Sequence, residues 1–126
     1  MVVNDPEIVA ELTVLYPEYE TALVGNDTEK LTAMFRNSEQ AVRFGAAENL
    51  HGYEEISAFR RGRPAVNLAR TVNRLDIVTF GRDFGSINLE FTREIGGQVI
   101  RGRQSQCWVR FPVGWRIVSA HVSLLP

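Results

Sequence analysis

The sequence predicts an α+β domain in which three N-terminal helices pack on one face of a strongly curved, mainly antiparallel sheet of about six strands. Up to Phe35 apolar residues recur at spacings of three and four, and beyond it they alternate, which is the change from a helical to a strand period. From Arg70 onward four strand-like stretches are separated by Gly81-Arg82-Asp83, Gly96-Gly97 and Pro112-Val113-Gly114, connections of hairpin length. Helices first and a meander last place the helices on one face of an antiparallel sheet. The 126 residues, 44% hydrophobic and 23% charged, read as a single domain, 1–126, with no internal repeat, linker or low-complexity stretch.

The first helix starts at an Asp5 cap with Pro6 in its first turn and carries Ile8, Leu12, Leu15, Tyr19 and Leu23 along one stripe. Pro17 falls inside it; a mid-helix proline removes a donor and clashes with the preceding turn, which predicts a kink or restart near Tyr16. Gly25-Asn26-Asp27 turns the chain and caps a short second helix bearing Leu31, Met34 and Phe35. Ala41 to Ala46 alternates as a first strand, with Glu48 to His51 as its hairpin partner. Gly52 precedes a third helix from about Tyr53 to Gly62, ended by Arg63-Pro64. The long strands are Arg70 to Phe80, Phe84 to Glu94, Gln98 to Phe111 and Trp115 to Leu124.

Composition narrows the function. With 14 basic against 15 acidic side chains and a net charge of −1, the chain offers no electrostatic footprint for a phosphate backbone, so nucleic acid is not an expected partner. Its apolar runs are too short to span a bilayer and its N-terminus lacks a basic region followed by a signal-length apolar run, so neither a membrane nor a secreted protein is expected. The single cysteine, Cys107, forms no intrachain disulfide and fits a reducing, cytoplasmic compartment. Cys107, His51 and His121 lack metal-ligand spacing and no glycine-rich phosphate loop is present, so no metal and no cofactor is expected. Thirteen of the basic residues are arginine, whose planar fork suits a carboxylate wherever one points inward.

Several residues stand where chemistry needs them. Tyr19 faces the interior, so its hydroxyl is either bonded to a backbone carbonyl in the core or presented to a pocket. Arg43 shares a strand face with Ala41 and Gly45, small neighbours that leave a gap. Turned inward it requires an internal or bound anion; turned outward it pairs with a residue such as Glu48. Arg60 and Arg63 follow Ile56 by four and seven residues on the inward helical face, while Arg61 projects away. They either snorkel to the rim or contact a ligand. In strand 98–111 Gly102, Gln104, Gln106 and Trp108 share one face and Arg101, Arg103, Ser105, Cys107 and Val109 the other, and neither face is plainly polar. The last strand is apolar on both faces, with His121, Ile117 and Trp115 assigned to the side away from a pocket. One helical layer covers only one face, so a homodimer is expected across the other, with Cys107, Val109 and Trp115 near it.

The stretches YETALVGND (19–27), VRFGAAENLHG (42–52), AFRRGRP (58–64), FGRDF (80–84) and GRQSQCWVRFPVGWRIVSAHVSLL (102–125) resemble the AtzH-like family, which includes the HpxZ proteins of oxalurate catabolism. The element order resembles the nuclear transport factor 2 (NTF2)-like fold shared with SnoaL-like proteins and ketosteroid isomerases, where a cone between sheet and helices is the usual ligand site. The resemblance implies a pocket acid at Tyr19, where the isomerases keep a helix tyrosine. It places Arg43 at the position of their carboxylate base, Arg60 at a pocket tyrosine and Gln106 at their second oxyanion donor, which puts the even face of strand 98–111 toward the pocket. The reversed charge at Arg43 disfavours proton abstraction and suits carboxylate binding. What the resemblance implies is a cofactor-free enzyme on a small ureido dicarboxylate, decarboxylating 1,3-dicarboxyurea to allophanate, with Tyr19 and Arg43 catalytic and Arg60, Gln106, Gln104, Arg63 and Trp108 binding substrate. The alternative is a non-catalytic module holding a small carboxylate metabolite, or an accessory to an amidase of the same pathway.

Overall fold

A computed structural model describes residues 1–65 and 68–126. The elements run α1 (Pro6–Val24), α2 (Thr28–Ala33), β1 (Val42–Phe44), β2 (Asn49–His51), α3 (Tyr53–Gly62), β3 (Thr71–Phe80), β4 (Phe84–Ile95), β5 (Gln98–Phe111) and β6 (Gly114–Leu124). The six strands form one sheet in the order β2-β1-β6-β5-β4-β3, mainly antiparallel and covered on one face by helices. This is the predicted α+β architecture.

The Asp5 carboxylate caps α1 by accepting from the Glu7 amide at 3.0 Å, leaving one fewer unsatisfied amide in the first turn. The stripe facing the sheet comprises Ile8, Leu12, Tyr16, Tyr19, Ala22 and Leu23. The expected restart near Tyr16 does not occur, because α1 runs through Pro17 as one element. Pro17 and Thr13 are both exposed, so the Thr13 carbonyl that proline leaves without a partner faces water. Tyr16 and Tyr19, both buried, meanwhile tie the helix down on its opposite side. Tertiary packing therefore overrides the local breaker.

The four long strands form the expected meander, β3–β4, β4–β5 and β5–β6, all antiparallel. β1, shorter than the alternation suggested, pairs antiparallel with β2 and parallel with β6. That parallel contact sets Arg43 opposite Ala120, which in turn faces Gln106 on β5. A short alanine thus separates two polar side chains on one inner row.

The β5–β6 register shifts between Cys107, opposite Ser119, and Trp108, opposite Ile117. One extra residue on β6, Val118, reverses the facing of everything beyond it. The bulge corrects the assignment of the last strand: Trp115 and Ile117 lie on the helix-covered face, Ile117 fully buried and the Trp115 indole donating to Glu11 of α1 at 2.9 Å. His121 does sit on the outer face, edge-on to Phe44. Trp115 therefore does not belong to the face once expected to pair with a second copy.

The core lies where α1 and Ile56 of α3 meet Ile87, Leu89 and Phe91 of β4, Trp108 of β5 and Ile117 and Ala120 of β6. Gly102 leaves β5 bare under the Phe91 ring; a Cβ there would lie 2.2 Å from Phe91 Cζ. Phe91 in turn lines a cavity.

Candidate functional site

That cavity, of about 200 Å³, opens between α1, the β1–β2 loop, the end of α3 and the inner face of the sheet. Its polar lining comes from Tyr19, Arg43, Glu48, Arg63, Arg70, Arg93 and Gln104, over an apolar base that includes Phe59 and Phe91. Helical spacing delivers Tyr19 and, behind it, Arg60, the C-cap of α3 delivers Arg63, and strand alternation delivers Arg43, Arg93 and Gln104.

Tyr19 is fully enclosed by protein, and its hydroxyl oxygen accepts from Arg60 Nη2 at 2.9 Å. Arg60 itself is completely buried, and its Nε and Nη1 have no partner among the described residues. Burial alone would raise the Tyr19 pKa. The charges of Arg60, Arg43 and Arg70, together with the Arg60 hydrogen bond, outweigh it and hold the phenol below its ordinary value. No acceptor for the hydroxyl proton exists among the described residues, so the O–H is available to whatever enters the cavity.

Tyr16, on the same face of α1, is driven the other way. Burial and then the charge of Glu20 push its phenol upward. It donates to Glu20 Oε1 at 2.8 Å and accepts from Gln104 Nε2 at 3.2 Å. The two rings lie 5.8 Å apart, yet their surroundings shift their acidities in opposite directions, Tyr16 upward and Tyr19 downward.

The arginines differ in how far the protein already satisfies them. Arg70 grips Glu20 with two nitrogens, Nε at 2.8 Å and Nη2 at 2.9 Å, donates to Gln104 Oε1 at 3.0 Å and sits 4.4 Å over the Phe91 ring. Burial would lower the Arg70 pKa, but Glu20 more than compensates and raises it. Arg43 is buried, 5.2 Å over the Phe59 ring, and donates through Nη1 to Glu48 Oε1 at 2.8 Å. Arg63 is half-buried at the C-terminal cap of α3, and no carboxylate lies within ion-pair distance of it among the described residues. Burial, followed by the charges of Arg60, Arg43 and Arg93, pushes its pKa down to about 10. The wall thus carries more guanidinium than carboxylate, and burial amplifies the imbalance.

Of the residues singled out from sequence, the structure brings Tyr19, Arg43, Arg63 and Gln104 to the cavity wall and sets Arg60 directly behind Tyr19. Gln106 and Trp108 face the same side of β5 but lie deeper, outside the cavity lining. Trp108 is fully buried and its Nε1 donates to Gln106 Oε1 at 2.9 Å, while Gln106 Nε2 has no partner among the described residues. The inner face of so long a strand runs from the cavity at Gln104 into the core, so alternation alone does not separate wall from core. Arg70, Arg93, Glu20 and Tyr16 were not anticipated. The run Ile87, Leu89, Phe91, Arg93 keeps a strict period of two and carries the signal that would have found Arg93.

Among the described residues no group of three or more His, Cys, Asp or Glu side chains gathers to hold a metal ion, and no helix is long and apolar enough to cross a membrane. The AtzH-like family matches the chain over residues 1–126. A solved DUF3225-family protein from Pectobacterium atrosepticum SCRI1043 is 47% identical, over 98% of this chain and 95% of that one, with a TM-score of 0.94. A cystatin-like fold protein from Burkholderia xenovorans LB400 is 44% identical, over 100% and 99%, with a TM-score of 0.91. An NTF2-like superfamily protein from Salmonella enterica serovar Typhimurium shares the fold alone, at 21% identity, 96% and 93% coverage and a TM-score of 0.75. Among curated proteins none matches the chain.

Proposed function

The chain belongs to the AtzH-like family and has the NTF2-like fold, and on that premise we propose that it is a cofactor-free decarboxylase of a small ureido dicarboxylate, converting 1,3-dicarboxyurea to allophanate. The observation that carries this reading is the Tyr19 hydroxyl, held by a buried guanidinium at the edge of a cavity walled by further arginines. Such a wall selects a small dianion, and such a phenol supplies a proton.

In this reading Arg43 and Arg63 each hold one carboxylate, and Gln104 bounds the ureido group between them. Decarboxylation breaks the bond between the carboxylate carbon and nitrogen. Carbon dioxide leaves, the electron pair stays on nitrogen, and Tyr19 delivers its proton there. Arg60 steadies the resulting phenolate until water reprotonates it. A positioned general acid contributes roughly 10²–10⁴ in rate. Proton abstraction of the isomerase kind fits poorly, since Arg43 stands where those enzymes carry a base.

The test is direct. Purified protein mixed with freshly generated 1,3-dicarboxyurea should release one equivalent of carbon dioxide per allophanate formed, faster than the uncatalysed collapse. Binding of a dicarboxylate without turnover would leave the cavity as a carboxylate-binding module and remove the enzymatic reading.

A further inference from the structure

We propose that Glu48 is an internal carboxylate ligand of Arg43, which a dicarboxylate must displace to occupy the cavity and which returns to Arg43 once one carboxylate is lost. This rests on the reading of the cavity as an anion site. The Arg43–Glu48 pair, 2.8 Å long, is built into the cavity wall, since both residues line it. Its two members are unequally fixed: the Arg43 side chain is 7% exposed and that of Glu48 25%. Glu48 hangs from the loop between β1 and β2, so it is the partner free to move.

Gly45 shows that this placement is made room for. A Cβ on Gly45 would lie 1.7 Å from Glu48 Oε1 and 2.3 Å from Glu48 Cδ, so the carboxylate occupies the volume that any other side chain at 45 would fill. Gly45 is not among the residues with positive φ. What glycine supplies here is space for Glu48 rather than an unusual backbone conformation. The Gly45 amide also donates to the Glu48 carbonyl at 2.9 Å, fixing the loop while leaving the side chain free to swing.

The consequence depends on how many carboxylates a ligand carries. A monocarboxylate is satisfied at Arg63, which no carboxylate engages among the described residues. A dicarboxylate also needs Arg43 and must exchange Glu48 out, trading one charge-assisted hydrogen bond for another. When a bound dicarboxylate loses one arm as carbon dioxide, Glu48 re-pairs with Arg43. The product is left on one anchor instead of two, so the loop carboxylate promotes its release.

Calorimetric titration with malonate and acetate tests this on the wild type, Glu48→Gln and Gly45→Ala. Glu48→Gln removes the competing charge, whereas Gly45→Ala keeps the charge and evicts it by contact. Both variants are expected to bind malonate about tenfold more tightly, equivalent to about 1.4 kcal/mol. Acetate affinity should change by less than about threefold, equivalent to about 0.65 kcal/mol. Weaker or unchanged malonate binding in both variants would show that Glu48 merely orders Arg43 and would overturn the proposal. Equal tightening of both ligands in Gly45→Ala would overturn it too. If the wild type binds neither ligand, the anion-site reading itself fails and takes this proposal with it, an outcome distinct from malonate binding that the variants leave unaltered.

Discussion

Tyr19→Phe separates packing from chemistry, and its cost follows from Arg60. The ring survives the substitution, so the apolar contacts on the inner face of α1 are kept. What disappears is the acceptor 2.9 Å from Arg60 Nη2, and Arg60 Nε and Nη1 already have no partner among the described residues. The variant therefore leaves a fully buried guanidinium with no acceptor among those residues. An ordinary lost hydrogen bond leaves a penalty of about 1–3 kcal/mol, whereas stranding a buried charge costs about 3–5 kcal/mol. The larger figure applies here, and for a domain of this size it lowers Tm by about 10–20 °C. Replacing both partners, Tyr19→Phe with Arg60→Met, removes the charge along with its acceptor and should recover most of that loss, as apolar replacement of a buried polar pair does. Neither variant can donate a proton, so carbon dioxide release per folded molecule should fall by about 10²-fold or more in both. Calorimetric melting and stopped-flow carbon dioxide release on the same preparations decide the matter. A Tyr19→Phe protein that melts within about 2 °C of wild type, under about 1 kcal/mol, refutes the stranded-charge argument, and one that keeps full turnover refutes the acid role.

Three further outcomes are expected. Arg43→Lys replaces a planar fork over Phe59 by a point charge and should weaken malonate binding at least about tenfold by titration calorimetry; unchanged affinity would show that Arg43 does not reach the ligand. Turnover should fall as pH rises through the Tyr19 pKa, because only the phenol donates. Since the arginines hold that pKa below its ordinary 10.0, the alkaline limb of kcat/KM should lie below it. Arg60→Gln, which removes the largest charge opposing burial, should move that limb to higher pH, and a limb that stays put would detach Tyr19 from the rate. We also propose a homodimer across the outer face of the sheet, where Val42, Phe44 and Cys107 border a shallow hollow beside His121; a sedimentation mass of one chain at micromolar concentration would refute it.

The legible parts of this fold were those set by local period. The Asp5 cap, the three helices and the four-strand meander all follow from spacings of three to four or of two, whereas the inward face of β5, neither side of which is plainly polar, came only from the family resemblance. Pro17 was misleading because its effect depends on which side of α1 faces water, a tertiary fact. The bulge at Val118 was invisible because one inserted residue leaves the composition of β6 unchanged while reversing its faces, and Trp115 changed sides with it. The site was half legible for the same reason. Residues on an inward helical face, Tyr19, Arg60 and Arg63, came within reach of inspection, while the facing of Arg43 stayed open between an inward and an outward reading. The Arg70–Glu20 pair, 50 residues apart in sequence, depends on where β3 begins relative to α1, which no local pattern encodes.

The proposed decarboxylation then turns on how charges are distributed around one cavity. Arg43 lines the cavity with its own carboxylate supplied from a loop three residues beyond Gly45. Arg70 is neutralised by Glu20 and so serves the architecture, holding Tyr16 and Gln104 in place. Arg60 is committed to Tyr19. Of the other wall arginines, Arg43, paired with a Glu48 side chain that is 25% exposed on a loop, and Arg63, whose charge its burial and its neighbours disfavour, are the two that the proposed reading assigns to a bound dianion. Two such positions beside one phenol of lowered pKa match the needs of a dianion that must lose one carboxylate and gain one proton.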